Sequence, residues 1–197
     1  MLHDERLVRG GVKWPAKDEP SLNLGWQHVP DVTIRQYRPA DLDACRALWA
    51  ELTERHRQLY ADPSIGGEAP GLYFDRHLET AGPERLWVAE SRLEVVGLTG
   101  LLSAGPDGEV EPVIVSEGWR GHGIGQALVA RVIEEARRLG LRYLSVRPVA
   151  RNAEAVTFFH RAGFRALGQI DLTMAVAPNS PVTWQPGAVL HGLQFNW

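Results

Sequence analysis

The sequence predicts an α/β fold in which a single mixed, mostly antiparallel central sheet is flanked by helices. Three observations carry that expectation. Segments of period two and segments of three- and four-residue spacing follow one another as strand, helix, helix, three strands, helix, strand, helix, strand. The three successive strand segments, 84–90, 94–103 and 109–116, are joined by short polar or Gly/Pro turns, as antiparallel neighbours are. A chain of 197 residues is also long enough for one well-buried core.

Residues 1–31 are polar, hold Pro15, Pro20 and Pro30 and show no sustained period. They read as an N-terminal extension packing on a core domain of residues 32–176. Residues 32–37 alternate as a first strand. Asp41 is a good N-cap, and Leu42, Cys45, Leu48, Trp49, Leu52 and Leu59 recur at helical spacing, so an amphipathic helix runs to about residue 60. Cys45 on that stripe is core. The stretch 61–71 holds Pro63, Gly66, Gly67, Pro70 and Gly71. It is a loop of the kind that often belongs to a site, and a short helix at 72–80 follows it. After the three strands, a helix at 124–139 is stopped by Gly140 as the C′ residue. An alternating strand at 141–149, a helix at 152–162 stopped by Gly163, and a strand pair at 164–168 and 171–176 complete the core. Residues 177–197 form a C-terminal aromatic extension.

Tryptophan is the commonest aromatic, with 7 against 5 Phe and 4 Tyr, and Trp14, Trp26, Trp184 and Trp197 lie near the two ends. Disordered tails seldom carry such aromatic weight. Both extensions are therefore expected to be ordered, covering the core, closing a site or forming a homodimer contact. With 21 basic and 24 acidic side chains and a net charge of −3, the chain lacks the basic footprint that nucleic-acid or anionic-membrane binding requires. The single cysteine excludes an intramolecular disulfide and gives no sign of a zinc site or redox pair, so a reducing cytoplasm is the expected compartment. Asp4 and Glu5 precede no apolar stretch, and no signal peptide is expected. No apolar run approaches the ~18 residues of a membrane span.

The most informative stretch is residues 113–128, VIVSEGWRGHGIGQAL. A buried strand enters a loop with Gly121, Gly123 and Gly125, and the loop opens onto an amphipathic helix. Glycines let the backbone approach a ligand, and a helix N-terminus offers free N–H groups and partial positive charge. This is an anion site, most simply a phosphate or pyrophosphate cradle; as a bare turn it would serve helix–strand packing. The dinucleotide fingerprint G-x-G-x-x-G fails because Gln126 and Ala127 follow Gly125, and a P-loop fails because the region has no lysine. Pro112 removes a ladder donor within its strand, so a bulge or a parted edge is expected there.

Two ordered motifs resemble the GCN5-related N-acetyltransferases. The first is Arg120-Gly121-His122-Gly123-Ile124-Gly125, similar to that family's pyrophosphate signature. The second is Asn152, Ala155, Phe158, Phe159, Gly163 and Phe164 within NAEAVTFFHRAGF. The resemblance covers about residues 32–176 and implies acetyl-CoA as cosubstrate and an amine as acceptor. It implies that backbone N–H groups of Gly121, His122, Gly123, Ile124, Gly125 and Gln126 hold the pyrophosphate with Arg120 beside it. It further implies that Asn152 and the strand edge Val113, Ile114 and Val115 bind the pantetheine arm. Phe159 stands where family members commonly have a tyrosine that acts as general acid.

Transfer to an amine has a physical demand of its own. An alkylamine of pKa ~10.4 is neutral for under about one part in 10³ at neutral pH, so a base must remove its proton. Glu111 and Glu109 share one face of their strand, at offsets from Arg120 that resemble family base positions, with Glu111 first and Glu109 second. A backbone N–H at Val113 or Ile114 would polarise the thioester carbonyl. Phe159 cannot donate a proton, and His160 and Tyr143 are candidate substitutes. In the loop after the first helix, Asp62, Glu68 and Asp75 beside Tyr60, Tyr73 and Phe74 would suit a cationic amine. The missing tyrosine also motivates an alternative, a noncatalytic acyl-CoA-binding or regulatory module. No metal site is expected.

Overall fold

The computed structural model describes residues 31–176 and 184–197. The expected N-terminal extension thus lies outside the described residues except for Asp31, as does the segment 177–183. Five strands form the main sheet: β1 (Val32–Gln36), β2 (Leu86–Ser91), β3 (Glu94–Ala104), β4 (Asp107–Val115) and β5 (Tyr143–Ser145). They lie in chain order, antiparallel from β1 to β4 and parallel between β4 and β5. The mixed, mostly antiparallel sheet flanked by helices is therefore the observed architecture.

Two helices, α1 (Leu42–Tyr60) and α2 (Tyr73–Ala81), cover one face, where Cys45, Leu48 and Phe74 meet Leu86, Val88, Leu98 and Ile114. The helix α3 (Ile124–Arg138) covers the other, where Val132 packs with Trp87, Leu101 and Val110, and Leu128 with Ala89 and Val96. Burial on both faces explains why β2 reads as a nearly continuous apolar run. Cys45 is fully buried, and desolvation pushes its thiol up to about 12, in keeping with a purely packing role. Asp41 occupies the N-cap position of α1 without capping it. Both its oxygens accept from Arg35 at 2.8 Å, and one also accepts from the Arg38 N–H at 2.7 Å. The Arg35 bonds hold its carboxyl below the usual carboxylate range.

Two strand expectations need correction. The strand expected at 141–149 is reduced to Tyr143–Ser145, because β4 and β5 share a ladder only from Asp107 to Glu109. The pair expected at 164–168 and 171–176 is absent, and those residues carry no regular structure. Leu167, Leu172, Met174 and Val176 are all exposed. Alternation marks a potential face, but a strand also needs a partner edge and a surface that buries that face. Within the C-terminal extension lies a hairpin of β6 (Pro186–Leu190) and β7 (Leu193–Asn196). His191 and Gly192 at its tip both have positive φ (51° and 79°), which is how a two-residue hairpin turn matches strand twist. Arg151 fastens this hairpin to the end of α1: its guanidinium donates to the carbonyls of Trp197 (2.6 Å) and Leu59 (3.3 Å) and lies 4.7 Å over the Tyr60 ring.

Candidate active site

The site is built around β4. Leu101 of β3 faces Val110 and Thr99 faces Val113, so Gly100 stands opposite two residues, Glu111 and Pro112. This is a β-bulge at the position that Pro112 led us to expect. On its other side β4 pairs with β5 only as far as Glu109 and Ser145. The strands then part, and among the described residues no strand neighbours the β4 edge from Val110 to Val115. Such an edge can take an extended ligand through backbone hydrogen bonds.

Past β4 the chain enters the glycine loop. Gly121 (φ 80°) and Gly123 (φ 83°) adopt left-handed backbone, and Gly123 is the N-cap of α3. A Cβ at Gly118 or Gly121 would meet nothing within 4 Å, so the loop has an open face. The first helical bond is Ala127 N–H to the Gly123 carbonyl, 3.0 Å. The N–H groups of Ile124, Gly125 and Gln126 precede it and are left unpaired within the helix. Ile124 is 1% exposed, so only its backbone can serve a ligand. His122 is exposed. A Cβ at Gly125 would make ordinary contact with the Phe158 ring at 3.4 Å, so packing alone does not demand glycine there.

Arg120 is not aimed at open solvent. Its Nε donates to the Val115 carbonyl (3.0 Å) and its Nη2 to Glu51 Oε1 (2.9 Å). The same Glu51 oxygen accepts from the Glu117 N–H at 2.6 Å. One carboxylate on α1 therefore braces both ends of the segment that leads into the glycine loop. Nothing local to Glu51 signalled this, because its partner Arg120 lies 69 residues away.

The helix α4 (Ala153–Arg161) closes the region. Asn152 caps it, its Oδ1 accepting from the Ala155 N–H at 3.0 Å, which leaves the amide NH2 able to donate to a ligand. Phe159 packs edge-on against Phe158 (5.0 Å between ring centroids) and Phe164 (5.8 Å). Between α4 and the start of α3 runs a groove of about 440 Å³, lined by Gln126, Ala153, Glu154, Thr157, Phe158 and Arg161. Thr157 and Arg161 escaped the sequence reading, although their spacing sets them on one helix face.

The two candidate bases differ. Glu109 is paired with Arg147 at 2.7 Å and its side chain is 14% exposed. Glu111 sits in the bulge, half-buried, with no ion-pair partner among the described residues. Most of the expected amine-binding group is engaged elsewhere. Asp75 takes two bonds from Arg46 (2.9 and 2.7 Å), Asp62 holds the Ser64 turn, and Phe74 is fully buried. Tyr143 pairs with Asp107 at the closed end of the parting, and His160 is exposed on α4.

Residues 43–164 match the model of the Acetyltransferase (GNAT) family. The chain belongs to that family, as its two motifs implied. A GNAT-family acetyltransferase from Staphylococcus aureus Mu50 superimposes with a TM-score of 0.61 at 16% identity, over 72% of this chain and 89% of its own. Ribosomal-protein-alanine N-acetyltransferase from Brucella melitensis gives 0.54 at 28% identity, over 66% and 83%. AAC(6')-Iy in complex with a CoA-containing bisubstrate analogue gives 0.54 at 17% identity, over 74% and 99%. No curated protein sequence matches the chain. Among the described residues, no helix is long and apolar enough to cross a membrane, and no His/Cys/Asp/Glu group is placed to hold a metal ion.

Proposed function

We propose that this chain moves an acetyl group from acetyl-CoA directly to a primary amine of a small molecule or peptide, with Glu111 as general base. The observation that carries the reading is the β4 edge without a strand partner among the described residues, which runs from the Glu111 bulge to an open glycine loop at a helix N-terminus. The N–H groups from Gly121 to Gln126 would hold the pyrophosphate, and Val113, Ile114, Val115 and the Asn152 amide the pantetheine arm. Bound acetyl-CoA supplies an acyl thioester, whose C–S bond breaks as the C–N bond forms, with sulfur leaving as thiolate. Glu111 takes the amine proton, and the N–H of Val113 or Ile114 polarises the carbonyl. Glu109, already neutralised by Arg147, is the poorer base. A thiol of pKa ~8.5 leaves tolerably without a general acid, so Phe159 is compatible with turnover. Of the acidic residues expected to meet a cationic acceptor only Glu68 is not engaged among the described residues, since Asp62 and Asp75 are bonded to Ser64 and Arg46 and the Tyr73 ring lies against Arg76.

CoA release measured with neamine, L-glutamate and an alanyl peptide tests the reading. Glu111→Gln should lower kcat by about 10²-fold or more while acetyl-CoA affinity holds, and Glu109→Gln should be much milder. Acetyl-CoA binding without turnover of any amine would favour the noncatalytic module.

A further inference from the structure

His77 takes no part in the machinery above. It lies on α2, is 7% exposed, and packs against Trp49 with ring centroids 5.1 Å apart. Burial pushes its imidazole down to about 4, so near neutral pH the ring is uncharged and carries a single N–H. Its Nε2 is shut off from solvent and makes no hydrogen bond. The backbone carbonyl of Glu111 borders the same small space beside Gly100.

The two groups meet across a space that only glycine leaves open. A Cβ built on Gly100 would lie 2.5 Å from the Glu111 carbonyl oxygen and 3.0 Å from His77 Nε2. Gly100 is the residue that stands opposite the bulged pair Glu111 and Pro112. A buried polar nitrogen left unsatisfied is destabilising, and an apolar residue would fill the same place without that cost. Catalytic hydrogen bonds are often long or poorly aligned before ligands bind and tighten in the complex.

We infer that His77 is a positioning residue for the reaction: its Nε2–H donates to the Glu111 backbone carbonyl and holds the β4 bulge in the shape that presents the Glu111 carboxylate to the acceptor. The inference rests on Glu111 as the base. His77 touches neither acetyl-CoA nor the amine, and acts through the backbone of its neighbour. Displacing a reacting group by about 1 Å can cost 10²-fold in rate, so a loose bulge lowers turnover without disturbing the glycine loop.

The experiment compares His77→Leu, which fills the space without a donor, with His77→Gln, which returns an N–H near the same point. The reaction is CoA release from acetyl-CoA with neamine, L-glutamate and an alanyl peptide. His77→Leu should lower kcat about 10- to 100-fold with the KM for acetyl-CoA unchanged, and His77→Gln should recover much of the loss. In a Glu111→Gln background, His77→Leu should add little further loss, because both changes remove one function. Thermal unfolding of each variant accompanies the kinetics. Nitrogen-15 NMR of the wild-type imidazole should place the proton on Nε2, a readout independent of any acceptor. A proton on Nδ1, a His77→Leu enzyme with wild-type kcat, or equal losses in KM and kcat that Gln does not rescue would overturn the inference while leaving Glu111 as base. Unchanged turnover in Glu111→Gln, or no turnover of any amine, would remove the base reading and the inference with it.

Discussion

Replacing Gly100 by alanine tests the geometry of the bulge most directly. Its added methyl carbon would lie 2.5 Å from the Glu111 carbonyl oxygen and 2.7 Å from Leu86 Cδ2, whereas carbon atoms prefer about 3.5–4.0 Å. The obstacle on β4 is backbone, so either that strand or Leu86 must retreat by about 1 Å. Overpacking of this kind costs about 1–3 kcal/mol. The smaller entropy of the unfolded alanine chain offsets about 0.4–1 kcal/mol of it, leaving a net loss of about 0–2.6 kcal/mol, toward the upper end because the obstacle is backbone. For a protein of this size, thermal unfolding should fall by several degrees, up to about 10 °C. Because the displaced backbone belongs to Glu111, kcat for CoA release should fall by about 10-fold or more. Gly168→Ala is the control, since a Cβ there meets nothing within 4 Å. If Gly100→Ala unfolds with Gly168→Ala and keeps full kcat, the space between β3 and β4 is not the tight one described, and the link between bulge and base fails.

Three further outcomes follow from the same geometry. Gly123→Glu sets a side chain on left-handed backbone and a negative charge at the start of α3, so acetyl-CoA affinity measured by calorimetry should fall by at least about tenfold; unchanged affinity would contradict the pyrophosphate site. Glu51→Ala removes the acceptor shared by Glu117 and Arg120. Because that pair is partly exposed, acetyl-CoA should bind about three- to tenfold more weakly with kcat at saturation preserved, and a kcat effect alone would refute the bracing role. For His77, the folded value of about 4 lies below the ordinary 6.5, so the unfolded chain takes up the proton first as pH falls. Its stabilisation is complete above pH 6.5 and declines toward pH 4, by up to about 3 kcal/mol. Urea unfolding of wild type and His77→Gln between those limits should show the difference, and parallel pH profiles would refute it.

Much of the fold was legible because its signals are local. The stripe from Leu42 to Leu59 and the stops at Gly140 and Gly163 mark helices through spacing and positive φ within a few residues. The glycine loop was legible for the same reason, since Gly121 and Gly123 adopt the left-handed backbone that glycine permits. The strand expected at 141–149, shortened to Tyr143–Ser145, and the absent pair at 164–168 and 171–176 show the limit. Residues 141–149 alternate well, but a strand also needs a neighbour's edge, which sequence spacing does not supply.

The candidate site divides along the same line. Sequence by itself determined the order of elements from β1 to α4, the glycine loop at 121–126 that opens a helix, and the two carboxylates at Glu109 and Glu111 on one strand, because each depends on residues adjacent in the chain. Only the tertiary structure decided how they differ. It paired Glu109 with Arg147, turned Arg120 onto Glu51, spent Asp75 on Arg46, and brought His77 of α2 to the carbonyl of Glu111 through the gap at Gly100. Those contacts join segments 29 to 69 residues apart or lie across the sheet, and charge or hydrogen-bonding capacity alone does not say which of many distant partners the packed backbone will present.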